Sequence, residues 1–364
     1  MMMCERLALS VGMMSLAAGG AHAVGVVGLD FMTSRPGPGA PPAQPGPRGN
    51  NLLGVVGVDL ETGNVTHTVP PFFTNDTANG YSCIQAFRPS PPTYYIISSF
   101  EPVKLISVDV ESGIATTVAL SEQLVVFDVS WSRSFGGVIY AYAAAPPYQL
   151  TDVGIFIIDP TTGVVGKNLG GLDITGYAEP RACESGLTLS ESSPDPRFYF
   201  TVATNKKDPD DGDQALLTYD LRKQKVVSQV PWSARNGSLN AMLSMTLPRA
   251  TAESVLAIAT DPDENNPRPL QLVSIDPRTG AHTVLAGVPV KQGPIIPSLG
   301  SLAANRDGSS LITIVMDDPT AEFFSITFDL SDYARTGKAK AVRRPLTQQS
   351  NLWNLQYVEQ PEEA

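Results

Sequence analysis

Leu53-Gly-Val-Val-Gly-Val-Asp59, followed by Glu61-Thr-Gly63, is an apolar strand-like run closed by an aspartate and a glycine turn. The phrase recurs. It returns as Leu105-Ile-Ser-Val-Asp109 with Gly113, as Ile155-Phe-Ile-Ile-Asp159 with Gly163, and as Leu272-Val-Ser-Ile-Asp276 with Gly280. Two degenerate copies end at Asp220, where Gln224 replaces the glycine, and at Asp329, where Gly337 comes late. Successive aspartates lie 50, 50, 61, 56 and 53 residues apart. A fixed period of this length marks a repeat architecture.

Each phrase reads as a hairpin. An aspartate at a strand end accepts hydrogen bonds from turn amides, a following proline (Pro160, Pro277) presets φ, and glycine takes the positive-φ position. The repeated aspartates are therefore scaffold. Two further strand-like runs separate the copies, so each unit predicts four strands, A to D from the axis outward. In the second unit these are 83–87, 93–98, a strand ending at Asp109, and 114–119. In the third they are 125–131, 138–143, a strand ending at Asp159, and 164–168. The later units place B strands at 198–203, 254–259 and 311–315. Residues 24–30 fit a B strand and 352–358 an A strand, together supplying the inner half of the first unit.

The expected architecture is an all-β, six-bladed β-propeller of four-stranded antiparallel blades over residues 24–358, closed by pairing of the chain ends. Closure removes open sheet edges. The Asp-x-x-Thr-Gly phrases over residues 50–345 resemble those of the YVTN and quinoprotein-like propeller superfamily. That resemblance implies a fold and no particular reaction.

Composition agrees with many short strands joined by turns: 364 residues, 42% hydrophobic, 31 Gly and 31 Pro. The net charge of −11 repels phosphate backbones and argues against a nucleic-acid partner. Residues 1–23 read as a secretory signal peptide, with Arg6, an apolar run and Ala21-His-Ala23 before the cleavage point. No later run is long and apolar enough to span a membrane, so a secreted, monomeric protein is expected. The Pro/Gly-rich stretch 33–50 reads as a mobile loop and 359–364 as an acidic tail. Sequons stand at Asn64, Asn75 and Asn236, which a secretory route would expose to glycosylation. Cys83 and Cys183 fall in non-adjacent blades, so two thiols are favoured over a disulfide.

Two places invite a ligand. The B–C and D–A loops share one face, which carries the aromatics Phe72, Phe73, Tyr148, Tyr177 and Trp232. The same face carries the acidic runs with Asp208, Asp210, Asp211, Asp213, Asp261 and Asp263. Solvated acidic loops are the simpler reading there, with Ca²⁺ as the rival. At the axis, Asp128, Glu184, Asn240 and Asn354 fall near the starts of A strands, beside Ser82 and Ser298. They read either as the polar lining of a wet channel or as a Ca²⁺ site of the kind that six-bladed lactonases and esterases use. Outside the leader only His67 and His282 remain, both in D strands at the rim. No histidine-based dyad, triad or zinc site is expected, no catalytic residue is assigned, and no cofactor signature appears. The leading functional expectation is a non-enzymatic binding module for a protein or carbohydrate, and the alternative is a calcium-dependent hydrolase.

Overall fold

The computed structural model describes residues 25–32, 50–77, 85–97, 102–133, 136–149, 152–170, 172, 174, 176–177, 179–180, 188–190, 196–207, 213–248, 253–260, 269–289, 295–297, 302–305, 307–317, 322–347 and 352–358. Residues 1–24 (with the expected leader), 33–49, Cys83, Cys183 and 359–364 lie outside them.

The protein is an all-β propeller of four-stranded antiparallel blades. In the first sheet, strand Gly25–Met32 lies between Leu352–Val358 and Asn50–Asp59, with Val65–Thr77 outermost. The second runs Gln85–Pro89, Pro92–Ile97, Lys104–Asp109 and Ala115–Ala119. The fourth and sixth have the same path, but their inner strand comes in two pieces: Glu179–Pro180 with Thr188–Ser190, and Ile295–Pro297 with Ala303–Ala304. The fifth runs Ser238–Met245, Ser254–Thr260, Leu270–Ile275 and His282–Val288.

The expectation of six four-stranded blades needs correction. Among the described residues, and counting each two-piece inner strand as one, five sheets have four strands; the third has three, Val125–Ser132, Val138–Ala144 and Val153–Ile158. The fourth strand expected at 164–168 shrinks to one bridge, Ile158 with Val165. Beyond it the amides of Gly166, Leu169 and Leu172 donate to the carbonyls of Ile157, Ile155 and Val153 at 2.7–2.8 Å. The segment thus advances three residues for every two on its neighbour, which breaks a β ladder into one-sided bonds. Gly170, at φ 150°, takes a backbone angle on this path that other residues rarely adopt.

Sheet packing explains why the B strands read as unbroken apolar runs. In Val138–Ala144, Ile139, Ala141 and Ala143 pack toward the second sheet, while Tyr140, Tyr142 and Ala144 pack toward the fourth. Side chains alternate between faces, and both faces are covered. Further clusters join the fourth sheet to the fifth and the fifth to the sixth. The first sheet packs on two neighbours: Val27 and Val55 meet Tyr94 and Ile96 of the second, and Val56, Val58 and Val65 meet Ile312 and Ile314 of the sixth.

The turns follow the predicted chemistry. Asp59 Oδ1 accepts from the amides of Glu61 and Thr62 at 2.8 and 3.0 Å, and Asp159 Oδ1 from Thr161 and Thr162 at 2.7 and 3.2 Å. In the degenerate fourth copy Asp220 accepts from Arg222 and Lys223, and Gln224 itself adopts φ 51° in the glycine's place.

Candidate functional site

The axis is best located by ladder register. Counting along each B strand from the residue paired with the one before the turn aspartate, Tyr142, Ile258, Thr201, Ile314 and Leu29 stand on the same rung. Every described inner strand that reaches this level breaks there. In the third sheet Phe127 is the extra residue before Asp128, and in the fifth Ala241, at φ 45°, follows Asn240. In the fourth and sixth sheets the inner ladder is described on either side of this level, as far as Pro180 and Pro297 and again from Thr188 and Ala303. Bulges at one level bend and re-aim strands, as they do beside functional sites.

Asp128 and Asn240 share that rung, opposite Tyr142 and Ile258. Asp128 is buried, and its Oδ1 accepts from the amide of Val129 at 2.6 Å. Asn240 is half-buried and donates through Nδ2 to Thr260 Oγ1 at 2.7 Å and to the Ser238 carbonyl at 3.2 Å. The register expected for Asn354 is off by one: Trp353 holds the rung, opposite Leu29, and Asn354 falls in the irregularity behind it. Glu184, Ser82 and Ser298 lie outside the described residues. Among the described residues no group of three or more His, Cys, Asp or Glu is placed to hold a metal.

The loop face is partly described. Phe72 and Phe73 belong to strand Val65–Thr77, opposite Leu53 and Leu52, rather than to a loop. Tyr148 is 44% exposed, at φ 64° after the cis Pro146–Pro147 bond. Tyr177 is half-buried against the cluster between the third and fourth sheets. The Asp213 carbonyl accepts from Thr204 in the B–C loop. Asp208, Asp210, Asp211, Asp261 and Asp263 lie outside the described residues. Of the sequons, Asn64 and Asn236 are exposed in turns, while Asn75 falls within strand Val65–Thr77.

Trp232 leads to the built feature of this face. Expected in a loop, it is the last residue of Lys225–Trp232, only 3% exposed. Its indole Nε1 donates to the Gly237 carbonyl at 2.6 Å, across the short 3₁₀ turn Ala234–Asn236. Its ring meets His282 of the fifth sheet edge-on, with centroids 4.9 Å apart. Between the two sheets opens a cleft of about 190 Å³. Trp232, Ala259, Val273 and Val284 give it apolar surface, while Arg235, Asn236, Gln271 and His282 supply polar groups. Gly237 holds φ 85°, and a β-carbon there would stand 2.8 Å from the Thr260 carbonyl oxygen, so the turn closes only with glycine.

The sequence put His282 on the rim and gave it no role. Arg235, Gln271 and His282 come from three different segments, and only the packing of sheets four and five brings them together. Trp232 was the one legible signal, because a large aromatic at a strand end near a turn attracts notice wherever its ring points.

Neither a scan against protein-family models nor a search of curated proteins gives a match. Among solved structures, the chain is similar to Kuenenia stuttgartiensis hydrazine synthase, with 13% identity and a TM-score of 0.48 over 86% of this chain and 90% of that one. AofleA from Arthrobotrys oligospora is similar at 10% identity and a TM-score of 0.47, over 82% and 83%. The Dos1 propeller is similar at 13% identity and a TM-score of 0.42; the alignment covers 75% of this chain and 63% of that one.

Proposed function

We propose that this chain is a secreted, non-enzymatic propeller of six sheets that binds a protein or carbohydrate ligand at the cleft between the fourth and fifth sheets. The carrying observation is the cleft itself, where Arg235, Asn236, Gln271 and His282 surround a floor of largely buried apolar residues, Trp232 among them. Convergent polar groups in a concavity can fix the orientation of a small ligand. At about 190 Å³ it takes a single ring or side chain. The closed ring is supported by the ladder between Gly25–Met32 and Leu352–Val358 and by the packing of the first sheet on the second and sixth. Membership of the YVTN and quinoprotein-like superfamily rests on the turn phrases alone. Secretion rests on the leader, and no helix among the described residues is long and apolar enough to cross a membrane.

The test is titration calorimetry of unglycosylated protein, made in a bacterial host, against a panel of monosaccharides and short peptides. Saturable binding that Gln271→Ala and Arg235→Ala each weaken supports the reading. No binding, together with ester or lactone hydrolysis abolished by a chelator, overturns it in favour of a Ca²⁺-dependent hydrolase. That second reading rests on the shared rung of Asp128 and Asn240, with Glu184 as a further ligand and Asn354 one residue off the rung.

A further inference from the structure

Asn236 is both the first residue of an Asn-Gly-Ser sequon and part of the lining of the cleft. We propose that Asn236 is an N-glycosylation site whose first N-acetylglucosamine seats in this cleft, so that the chain's own glycan fills the ligand position. The proposal rests on the secretory and cleft readings above.

Position comes first. The side chain of Asn236 is exposed, on a turn whose shape is set on both sides. The Asn236 amide donates to the Ser233 carbonyl at 2.9 Å, and the Trp232 indole clamps the Gly237 carbonyl at 2.6 Å. A sugar joined to Nδ2 therefore starts from a fixed point at the edge of the cleft, and little chain entropy is lost in placing it. Size comes second. The cleft, at about 190 Å³, is smaller than the ~300–1,000 Å³ typical of drug-sized pockets and suits one sugar ring. Chemistry comes third. Gln271, Arg235 and His282 offer hydrogen-bonding groups to hydroxyls and to the acetamide, while the half-buried Val284 offers an apolar contact to a ring face or a methyl.

The other sequons lack this setting. Asn64 sits in a hairpin turn, where its carbonyl accepts from Asp59, and Asn75 lies within a strand. Neither lines the cleft.

The experiment uses the full chain secreted from a eukaryotic host. Peptide mapping by mass spectrometry reads occupancy at Asn236. One portion is then trimmed by an endoglycosidase that leaves a single N-acetylglucosamine, and a second is fully deglycosylated. Both are compared by thermal unfolding and by hydrogen exchange of the strands Lys225–Trp232 and His282–Val288. The trimmed form should melt about 2 °C higher, as a gain of order 1 kcal/mol gives for a domain of this size. It should also exchange several-fold more slowly in those two strands. An unmodified Asn236 beside a modified Asn64 overturns the proposal. So does a modified Asn236 whose first sugar changes neither the melting point nor the exchange. Binding of outside ligands to the bacterial protein is read separately, so failure of the seated sugar is distinguishable from failure of the binding module.

Discussion

Ser121, just past the outer strand of the second sheet, is tied at two points to the Gly163 turn of the third. Its amide donates to the Gly163 carbonyl at 3.0 Å, and its Oγ accepts from the amide of Val165 at 2.8 Å. Thr347 and Gly63 repeat the arrangement between the sixth sheet and the first: the Thr347 amide donates to Gly63 at 3.0 Å, and its Oγ1 accepts from Val65 at 3.3 Å. The Gly63 and Val65 turn thus meets a residue 284 positions away in the way that Gly163 meets its near neighbour in sequence. A single inter-sheet latch serves both seams. It also gives the glycine of the repeated turn phrase a second reason to be glycine, besides the backbone angle.

That second reason is measurable. Gly163 holds φ 71° and Gly63 φ 74°, and a β-carbon on either would overlap a carbonyl oxygen of the adjoining sheet, that of Ala119 or Pro345. Gly136 holds φ 86° with nothing nearby. Gly136→Ala should cost only the left-handed backbone term, about 1–2 kcal/mol. Gly163→Ala and Gly63→Ala should cost about 3 kcal/mol or more, because backbone must move as well. Urea unfolding of the three variants measures the difference, and equal losses would refute a packing role for the two turn glycines.

The hydroxyls of the latch carry a smaller, separate effect. Thr347→Val keeps the shape and removes the acceptor for the amide of Val65. The Thr347 hydroxyl also donates to the Gly63 carbonyl, so two long, part-buried hydrogen bonds go and the expected loss is about 1–2 kcal/mol. Hydrogen exchange should accelerate at Val65 while the second sheet stays unchanged. Ser121→Ala should do the same at Val165 alone. Acceleration spread evenly over the whole chain would mean that the latch does not act locally.

The repeat was legible because its chemistry is local. Asp159, Pro160 and Gly163 fall within one turn, and each has a preference set by its own side chain or its own φ. Strand boundaries followed for the same reason: the B strands, covered on both faces, are uninterrupted apolar runs. The fourth strand of the third sheet was not legible. Val164-Val-Gly-Lys-Asn has strand composition, and only the bonds of Gly166, Leu169 and Leu172 show the three-for-two path. The axis register was lost by one residue at Asn354, because the irregularity beside Trp353 depends on how two strands from opposite chain ends meet. The cleft was missed because its lining joins Arg235, Gln271 and His282 from separate segments.

A part-buried polar bridge between the fourth and fifth sheets offers a third test. The Tyr199 hydroxyl donates to Glu253 Oε2 at 3.0 Å, and Ser244 Oγ donates to the other carboxylate oxygen. Burial, followed by the charge of Glu253, raises the Tyr199 hydroxyl well above the usual tyrosine range, so it stays a donor at any working pH. Tyr199→Phe should cost about 1–2 kcal/mol. Glu253→Gln should cost less than Glu253→Leu, because the amide oxygen still accepts from one hydroxyl. A double-mutant cycle on Tyr199 and Glu253 should show coupling of about 1 kcal/mol. Strict additivity would remove the bridge as a stabilising element.

The turn aspartates lead to a test at acid pH. Backbone hydrogen bonds from Thr62, Ser112 and Thr161 hold the carboxyls of Asp59, Asp109 and Asp159 below their ordinary value. At Asp220 and Asp276 burial works the other way, but the combined hydrogen bonds and the neighbouring Lys223 or Arg278 prevail, and both are lowered too. Asp329 is lowered by hydrogen bonds from Ser331. A carboxyl depressed in the fold takes up its proton first in the unfolded chain, so stability is complete above the unfolded value of about 4 and declines as the pH falls through the folded one. The urea midpoint should therefore be nearly flat from pH 7 to about pH 5 and drop steeply below pH 4. A triple variant, Asp59→Asn with Asp109→Asn and Asp159→Asn, removes three titrating groups while keeping an acceptor oxygen in each turn. It should be less stable than the parent at pH 7, fall less steeply below pH 4, and converge with it near pH 2. Parallel curves for the two proteins across the acid limb would show that these carboxylates do not govern the transition.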